Sequence, residues 1–316
     1  MNPHVLDPAA IQSALAALRS DRPSTPFGQD EESDRSLSSH HWNLRVYQQL
    51  ASTNLTLWRS IQRGAPSHTV VIAQEQTQGK GQRGREWISA PRGLYLSAAV
   101  DFGVTVQPPH LLTLSTAWGI ATQLQTLGID IGLKWPNDLV VNDRKLGGIL
   151  IETRTRGDRL RWVCVGVGLN WSNPVPATGI TLYSLLSQDS PCSSINELAA
   201  LTLTGIATGI SRYQQDNAEA IAKDYETLLV NRDQHVAWTD TVGKRLEGVV
   251  IGVNPLGELR VRILEPDSTA FVACSTAGSP SIDAATNSPA PSFKQPLCEQ
   301  TFPPGSIRLG YHASLS

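Results

Sequence analysis

The sequence predicts a mixed α/β domain followed by a small β-barrel. Strand-like and helix-like runs alternate from Trp42 to Arg232. After Arg232 the helical periodicity stops, and short β-rich runs separated by turn signals replace it. Ahead of both regions, residues 1–41 offer one short helix and a polar stretch, a small allowance for an independently folded unit.

Each element has a local reason. Asp7 and Pro8 ahead of "AAIQSALAAL" supply an N-cap and a proline at the first helical position, which predicts a short helix. Residues 20–40, polar and punctuated by Pro and Gly, read as a mobile linker. "TVVIAQE" (Thr69 to Glu75) and "LYLSAAV" (Leu94 to Val100) are β-rich, whereas Leu111 to Leu127 has helical periodicity. "LVV", "KLGGILIETR" and "LRWVCVGVGLNW" predict three more strands, the first two joined at the turn "NDRK". "INELAALTLTGIATGISRYQ" and "NAEAIAKDYETLLV" predict helices. The terminal barrel draws on "HVAW", "RLEGVVIGV", "ELRVRIL", "TAFVAC" and "SIRLGY". A Ser/Ala/Pro-rich segment near 275–304 interrupts it and reads as a disordered insertion.

Composition narrows the function classes. The chain has 316 residues and a net charge of −2, so it carries no general attraction for nucleic acid or anionic membranes. No apolar run approaches a membrane span, and Met1 to Ser20 lacks the pattern of a signal peptide, which makes the cytoplasm the expected compartment. The four cysteines form no C-x-x-C pair, so reduced thiols and no zinc are expected.

Four segments carry chemistry. "QTQGKGQRGREW", Gln76 to Trp87, alternates glycines with Lys80, Arg83 and Arg85. Glycines let peptide N–H groups approach a ligand, and the cations suit phosphate. The spacing of Gly79, Gly81 and Gly84 matches neither a P-loop nor G-x-G-x-x-G, and by itself such a loop is more often a solvated turn or a nucleic-acid contact than a nucleotide site. Trp87 suits either purine stacking or a core position. "GLKWPNDLVVNDRKLGGILIET" places Lys134, Asn137 and Asp138 at a strand-to-turn corner, and a hairpin brings Lys145 toward Lys134. Gly147 and Gly148 at a strand start suggest close packing against the backbone. In "VGVGLNW", Gly166 and Gly168 face one side of an apolar strand and leave a slot, for a ligand or a packed helix. In "ASTN", Ser52 or Thr53 serves either as a helix cap or as a hydrogen-bonding partner for a polar ligand.

Together, in order, these pieces resemble the biotin protein ligases. That family carries a serine-threonine-asparagine turn, a G-R-G-x-R-G-R-x-W loop, a K-W-P-N-D corner, an R-K-L-x-G-I-L strand and a G-x-G-x-N strand. This sequence has "STN", "GKGQRGREW", "KWPND", "RKLGGIL" and "GVGLN", over roughly Asn43 to Tyr225. It departs at Lys80, which keeps the charge but not the planar fork of arginine, and at Gln82, where some relatives are basic. Lipoate ligases share the fold but differ in the loop and corner.

The resemblance implies a mixed-sheet catalytic domain with an SH3-like C-terminal barrel. It implies activation of biotin by ATP with Mg²⁺, and transfer from biotinyl-5′-AMP to a lysine of a biotin carboxyl carrier protein, an acetyl-CoA carboxylase subunit. Lys145 would bridge the biotin carboxylate and the α-phosphate. Lys134 and Asp138 come next, Asp138 drawing the proton from the carrier lysine or orienting Lys145. Gly79, Lys80, Gly81, Gln82, Arg83, Gly84 and Arg85 would close as a lid, mobile without ligand, with Arg83 and Arg85 in the catalytic set. Trp87 and Asn137 would contact adenine. Ser52, Thr53 and Gln76 would hold the ureido ring, and Asn54 belongs to the same binding set. Gly148, Gly166 and Gly168 would make room for the bicycle, and Asn170 would touch the phosphates or their metal. The carrier is expected to add its edge strand to an exposed edge of the sheet. The short region before Trp42 implies a single-function enzyme without a DNA-binding role. Family members occur as monomers and dimers, so a homodimer is compatible. Two other readings are a lipoate or octanoate ligase or transferase of the same fold, and an RNA-binding protein gripping its ligand with the Gly/Arg loop.

Overall fold

A computed structural model describes residues 2–20, 41–105, 108–157, 159–239, 245–263, 299–307 and 309. Its main layer is a seven-stranded mixed sheet of order β1-β2-β3-β7-β6-β5-β4. The strands are β1 (Asn43–Leu50), β2 (Thr69–Gln76), β3 (Leu94–Thr105), β4 (Gly132–Lys134), β5 (Asp138–Val141), β6 (Arg144–Arg156) and β7 (Arg159–Leu169). The helices are α1 (Pro8–Ser20), α2 (Thr53–Gln62), α3 (Pro109–Gln125), α4 (Ile195–Gln215) and α5 (Ala218–Thr227).

Among the described strands the β1–α2–β2 unit is the one parallel crossover: Asn43 pairs with Thr69, and Leu50 with Gln76. The other strand pairs are antiparallel and locally connected. Between β5 and β6 the hairpin turns on Asn142 and Asp143, both with positive φ (49° and 57°), the geometry a two-residue turn requires and Asn/Asp tolerate. The composition around "NLRVYQQL" masks β1, whose burial is only partial along its length.

Helices α3 and α4 pack on one face of the sheet. Their backbones touch where a Cβ on Gly209 would meet the Ser115 carbonyl and Thr116 Cα, both 2.5 Å away, so this crossing admits no side chain. Helix α4 opens with a capping box: Glu197 N–H donates to Ser194 Oγ, and Ser194 N–H to the Glu197 carboxylate. Helix α1 starts as expected, with Asp7 Oδ1 accepting from Ala9 N–H. Leu6, Ile11 and Leu15 are buried in the main core, and Ile195 N–H donates to the Pro3 carbonyl. Residues 2–20 therefore pack into the same core as the sheet.

A second, four-stranded antiparallel sheet has the order β11-β10-β9-β8: β8 (His235–Thr239), β9 (Arg245–Val253), β10 (Leu259–Ile263) and β11 (Glu299–Phe302). Strand β11 corrects the expectation of a disordered insertion up to 304, since "EQTF" pairs with β10 from Leu259 to Arg262. Ser306 and Ile307, expected to begin a strand, form a bend after the turn at Pro304 and Gly305, with Ser306 N–H bonded to the Pro303 carbonyl. The linker at 21–40, "TAFVAC", Cys274, Cys298 and most of the insertion lie outside the described residues. Cys164 and Cys192 are buried free thiols. No helix among the described residues is long and apolar enough to cross a membrane.

Candidate functional site

The site forms where the N-terminus of α2, the ends of β2, β5, β6 and β7, and the loop after β2 converge. Two adjoining cavities of about 140 and 300 Å³ share Gln82, Arg85, Asn137, Asp138 and Lys145. The first also takes Ser52, Thr53, Asn54, Gln76, Lys80, Gly81 and Trp87, with Gly148, Gly166 and Gly168. The second takes Arg83 and Lys134 and reaches Gly305, Ile307 and Leu309 of the C-terminal segment.

The loop after β2 is a closed hairpin. Gln76 bridges Ser89, Lys80 bridges Glu86, Gly81 N–H donates to the Arg85 carbonyl (2.7 Å), and Trp87 N–H donates to the Gly79 carbonyl (2.9 Å). A tight turn at its tip puts Arg83 at φ 59° and ψ 38°, the left-handed region, which costs a non-glycine residue about 1 kcal/mol. Arg83 reaches away from the first cavity, donating to the Pro304 carbonyl at 3.3 Å. Gly79 is buried within the hairpin and lines neither cavity, and neither does Gly84.

Lys145 is the cation best placed at the junction. Its Nζ lies 2.6 Å from Asp138 Oδ1 and 4.9 Å above the Trp87 ring. Its backbone is clamped on both sides: Lys145 N–H donates to the Thr178 carbonyl (2.8 Å), and Ile180 N–H to the Lys145 carbonyl (3.0 Å). Asp138 pairs with Lys134 across the β4–β5 turn, and its carboxylate reaches Lys145 on β6, so one carboxylate stands between two lysines. Asn137 is anchored to β6, its Nδ2 donating to the Ile149 carbonyl at 2.7 Å.

Burial pushes the Lys134 ammonium down to about 8 from the ordinary 10.5; Asp138 opposes this and Lys145 adds to it. The depressed value has a defined sign in stability. From about pH 8 to 10.5 the unfolded chain holds a proton that the folded chain has released, so stability rises with pH across that window relative to a chain lacking the group. Lys134→Met is expected to flatten this component in urea titrations, and an NMR titration of the Lys134 ammonium should show a midpoint near 8. A midpoint near 10.5 would contradict the burial account.

The glycine slot is occupied by protein. A Cβ on Gly168 would meet Trp87 Cε2 and Nε1 at 2.6 Å, and one on Gly148 would meet Trp87 Cζ3 at 3.3 Å. A Cβ on Gly166 would strike the Asn54 amide. The indole thus lies against the face expected to take a ligand ring, and its Nε1 is buried with no hydrogen-bond partner. Ser52 stands at the N-cap position of α2 without a side-chain capping bond. Thr53 instead donates through both N–H (2.8 Å) and Oγ1 (3.1 Å) to Gln76 Oε1. Asn170 does not line the cavities: its Nδ2 donates to the Lys145 carbonyl (3.1 Å) and its Oδ1 accepts from Asn173 (3.1 Å). Its place is beneath Lys145. Sequence reasoning did not single out Glu86, Ile149, Leu150 and Val167 of the lining, although they lie inside the quoted motifs, nor Gly305, Ile307 and Leu309 of the second cavity.

The fold and the cleft together define a mixed α/β ligand-binding domain with a glycine-rich cationic hairpin facing a lysine–carboxylate pair. Residues 46–170 match the model of the biotin/lipoate A/B protein ligase family. A biotin--[acetyl-CoA-carboxylase] ligase of Mycobacterium tuberculosis is 29% identical over 223 residues, covering 68% of this chain and 82% of that protein. The bifunctional ligase/repressor BirA of Bacillus subtilis is 35% identical over 123 residues, but only 38% of each chain is covered. This chain matches well under half the length of the Bacillus relatives. Among solved structures, the biotin protein ligase of Aquifex aeolicus in complex with biotin and ATP shares the fold, with a TM-score of 0.58 and 23% identity over 72% of this chain and 96% of that one.

Proposed function

We propose that this chain is an ATP-dependent ligase that activates biotin as biotinyl-5′-AMP and transfers it to one lysine of a biotin carboxyl carrier protein. The observation that carries the reading is the Lys145–Asp138 pair, 2.6 Å apart, at the junction of two cavities under a basic glycine-rich hairpin. The Mycobacterium relative and the ligands of the Aquifex structure support the choice of biotin and ATP. Residues 42–232 form the biotin- and ATP-binding unit in this reading, residues 233–316 the small barrel, and residues 1–41 a preceding segment.

The physical problem is repulsion between two anions. A carboxylate must attack the negatively charged α-phosphate, so cations and peptide N–H groups have to neutralise both as the transition state forms. Lys145 lies where it can contact both at once. Lys80 and Arg85, at the mouth of the first cavity, add positive charge along the phosphates. Asp138 keeps Lys145 aimed during adenylation and accepts a proton from the carrier lysine during transfer, since that amine attacks only when neutral. Lys134 supplies a second cation at the α-phosphate side. Among the described residues no group of three His, Cys, Asp or Glu is placed to hold a metal. Mg²⁺ would accompany the triphosphate, held mainly by phosphate oxygens and water. The carrier would dock by strand addition to a free sheet edge in the cytoplasm.

Ligand binding has to move the indole from the glycine face. Addition of biotin and ATP is expected to change Trp87 emission, a change absent in Trp87→Phe, and to slow hydrogen exchange at Gly79–Arg85. The function itself is tested by incubating the protein with biotin, ATP, Mg²⁺ and a carrier domain. Biotin-dependent labelling of one carrier lysine is expected. Labelling with lipoate in preference to biotin, or none with either, overturns the assignment.

A further inference from the structure

Behind the first cavity lies a hydrogen-bonded relay whose origin does not touch it. Glu152 Oε2, on β6, accepts from Asn54 Nδ2 at 3.0 Å and from Trp58 Nε1 at 2.8 Å. Asn54 Oδ1 accepts from the fully buried Ser97 hydroxyl at 2.5 Å, and Ser97 Oγ lies 2.8 Å from Thr53 Oγ1. Asn54 and Thr53 line the cavity, while Glu152, Trp58 and Ser97 do not.

We propose that Glu152 and Trp58 are positioning residues that set which atoms of the cavity wall donate and which accept, and so select a cyclic urea. The inference rests on the biotin reading above. An ionised carboxylate only accepts, so Asn54 must turn its nitrogen to Glu152 and its oxygen to Ser97. Ser97 then spends its single proton on Asn54. The 2.8 Å Ser97–Thr53 contact can then be filled only by the Thr53 proton, shared with Gln76 Oε1 (3.1 Å), and Thr53 Oγ1 keeps a free lone pair toward the cavity. Gln76 is fixed independently, because the Thr53 peptide N–H can only donate to it. The result is an acceptor on Thr53 for a urea N–H and a second amide hydrogen on Asn54 for a urea carbonyl. If the Asn54 amide were reversed, its nitrogen would donate to Ser97, the Ser97 proton would go to Thr53, and the amide hydrogen offered to the urea carbonyl would be lost.

Trp58 makes the relay testable. Its indole N–H is a donor only. In Glu152→Gln it therefore holds the new amide oxygen toward Asn54, and that variant is expected to keep the wild-type biotin KM. Trp58→Phe alone is expected to do the same, since the carboxylate still orients Asn54. The double variant releases the glutamine amide, and its biotin KM should rise toward that of Glu152→Leu, about tenfold above wild type for one lost ligand hydrogen bond. The ATP KM and kcat should stay within about twofold throughout. Glu152→Leu with an unchanged biotin KM, Glu152→Gln as impaired as Glu152→Leu, or losses in both KM values that follow the melting temperature each overturn the proposal.

The two readings fail separately. If the wild type shows no biotin-dependent pyrophosphate exchange, the function falls. The relay is then read by NMR, which should show a cross-peak between the Asn54 side-chain amide and the Trp58 indole hydrogen that disappears in Glu152→Leu. No such cross-peak in the wild type would refute the relay itself.

Discussion

Lys145→Ala is expected to lower biotin-dependent ATP–pyrophosphate exchange by about 10²–10³, the loss typical of a single preorganised charge-stabilising donor. The expectation follows from position. Nζ sits where the two cavities meet, steered by Asp138 and by the face of Trp87, with its backbone clamped by residues 178–180. The loss corresponds to roughly 2.7–4 kcal/mol of barrier. Its signature is a fall in kcat with little change in the biotin KM, because the contact strengthens as charge develops between carboxylate and phosphate. Lys145→Arg should recover little, since a planar fork at this half-buried position cannot occupy the point the ammonium fills. Exchange at the wild-type rate in Lys145→Ala would remove this residue from the chemistry.

Asp138→Asn should separate the two half-reactions. The amide keeps the shape of the carboxyl group and can still accept a hydrogen bond from Lys145, so adenylate formation is expected to fall by less than about tenfold. The amide cannot take a proton. Transfer from preformed biotinyl-5′-AMP to the carrier should therefore fall by about 10²–10⁴, the range for a lost general base. Raising the pH should partly restore transfer, because more of the carrier lysine is then neutral. The same substitution removes the carboxylate that supports the Lys134 ammonium, so the pKa of Lys134 should drop further below about 8. Equal losses in both half-reactions would assign Asp138 to holding Lys145 alone.

Much of the site was legible because its pieces are short and contiguous. The basic hairpin and the Gly166/Gly168 strand each sit on one element, the K-W-P-N-D corner spans only the tight β4–β5 turn, and the β5–β6 turn at Asn142-Asp143 brings Lys145 to Asp138 with little freedom. What sequence could not supply was side-chain direction. Asn170 carries a family motif, yet the Lys145 carbonyl draws its amide under the strand. Gly148 and Gly168 read as room for a ligand ring, while the Trp87 indole, distant in sequence, settles against them. Glu152 looked like any polar residue leaving a strand, because its partners Asn54 and Trp58 lie about a hundred residues earlier (98 and 94). In the fold, β1 was missed since its burial is partial and its polar positions interrupt the alternation. Strand β11 was hidden by the Ser/Pro-rich segment before it, although pairing with β10 fixes its register.

The central claim is that one cleft holds both anions and that Lys145 joins them. A crystal structure with biotin and a non-hydrolysable ATP analogue tests it most directly. The account predicts the biotin carboxylate and the α-phosphate both within hydrogen-bonding distance of Lys145 Nζ, with the ureido ring at Thr53 and Asn54 and the Trp87 indole moved off Gly168. Either ligand bound outside the space between Gln76–Trp87 and Lys145, or the indole still seated on Gly168 with both ligands present, would contradict it.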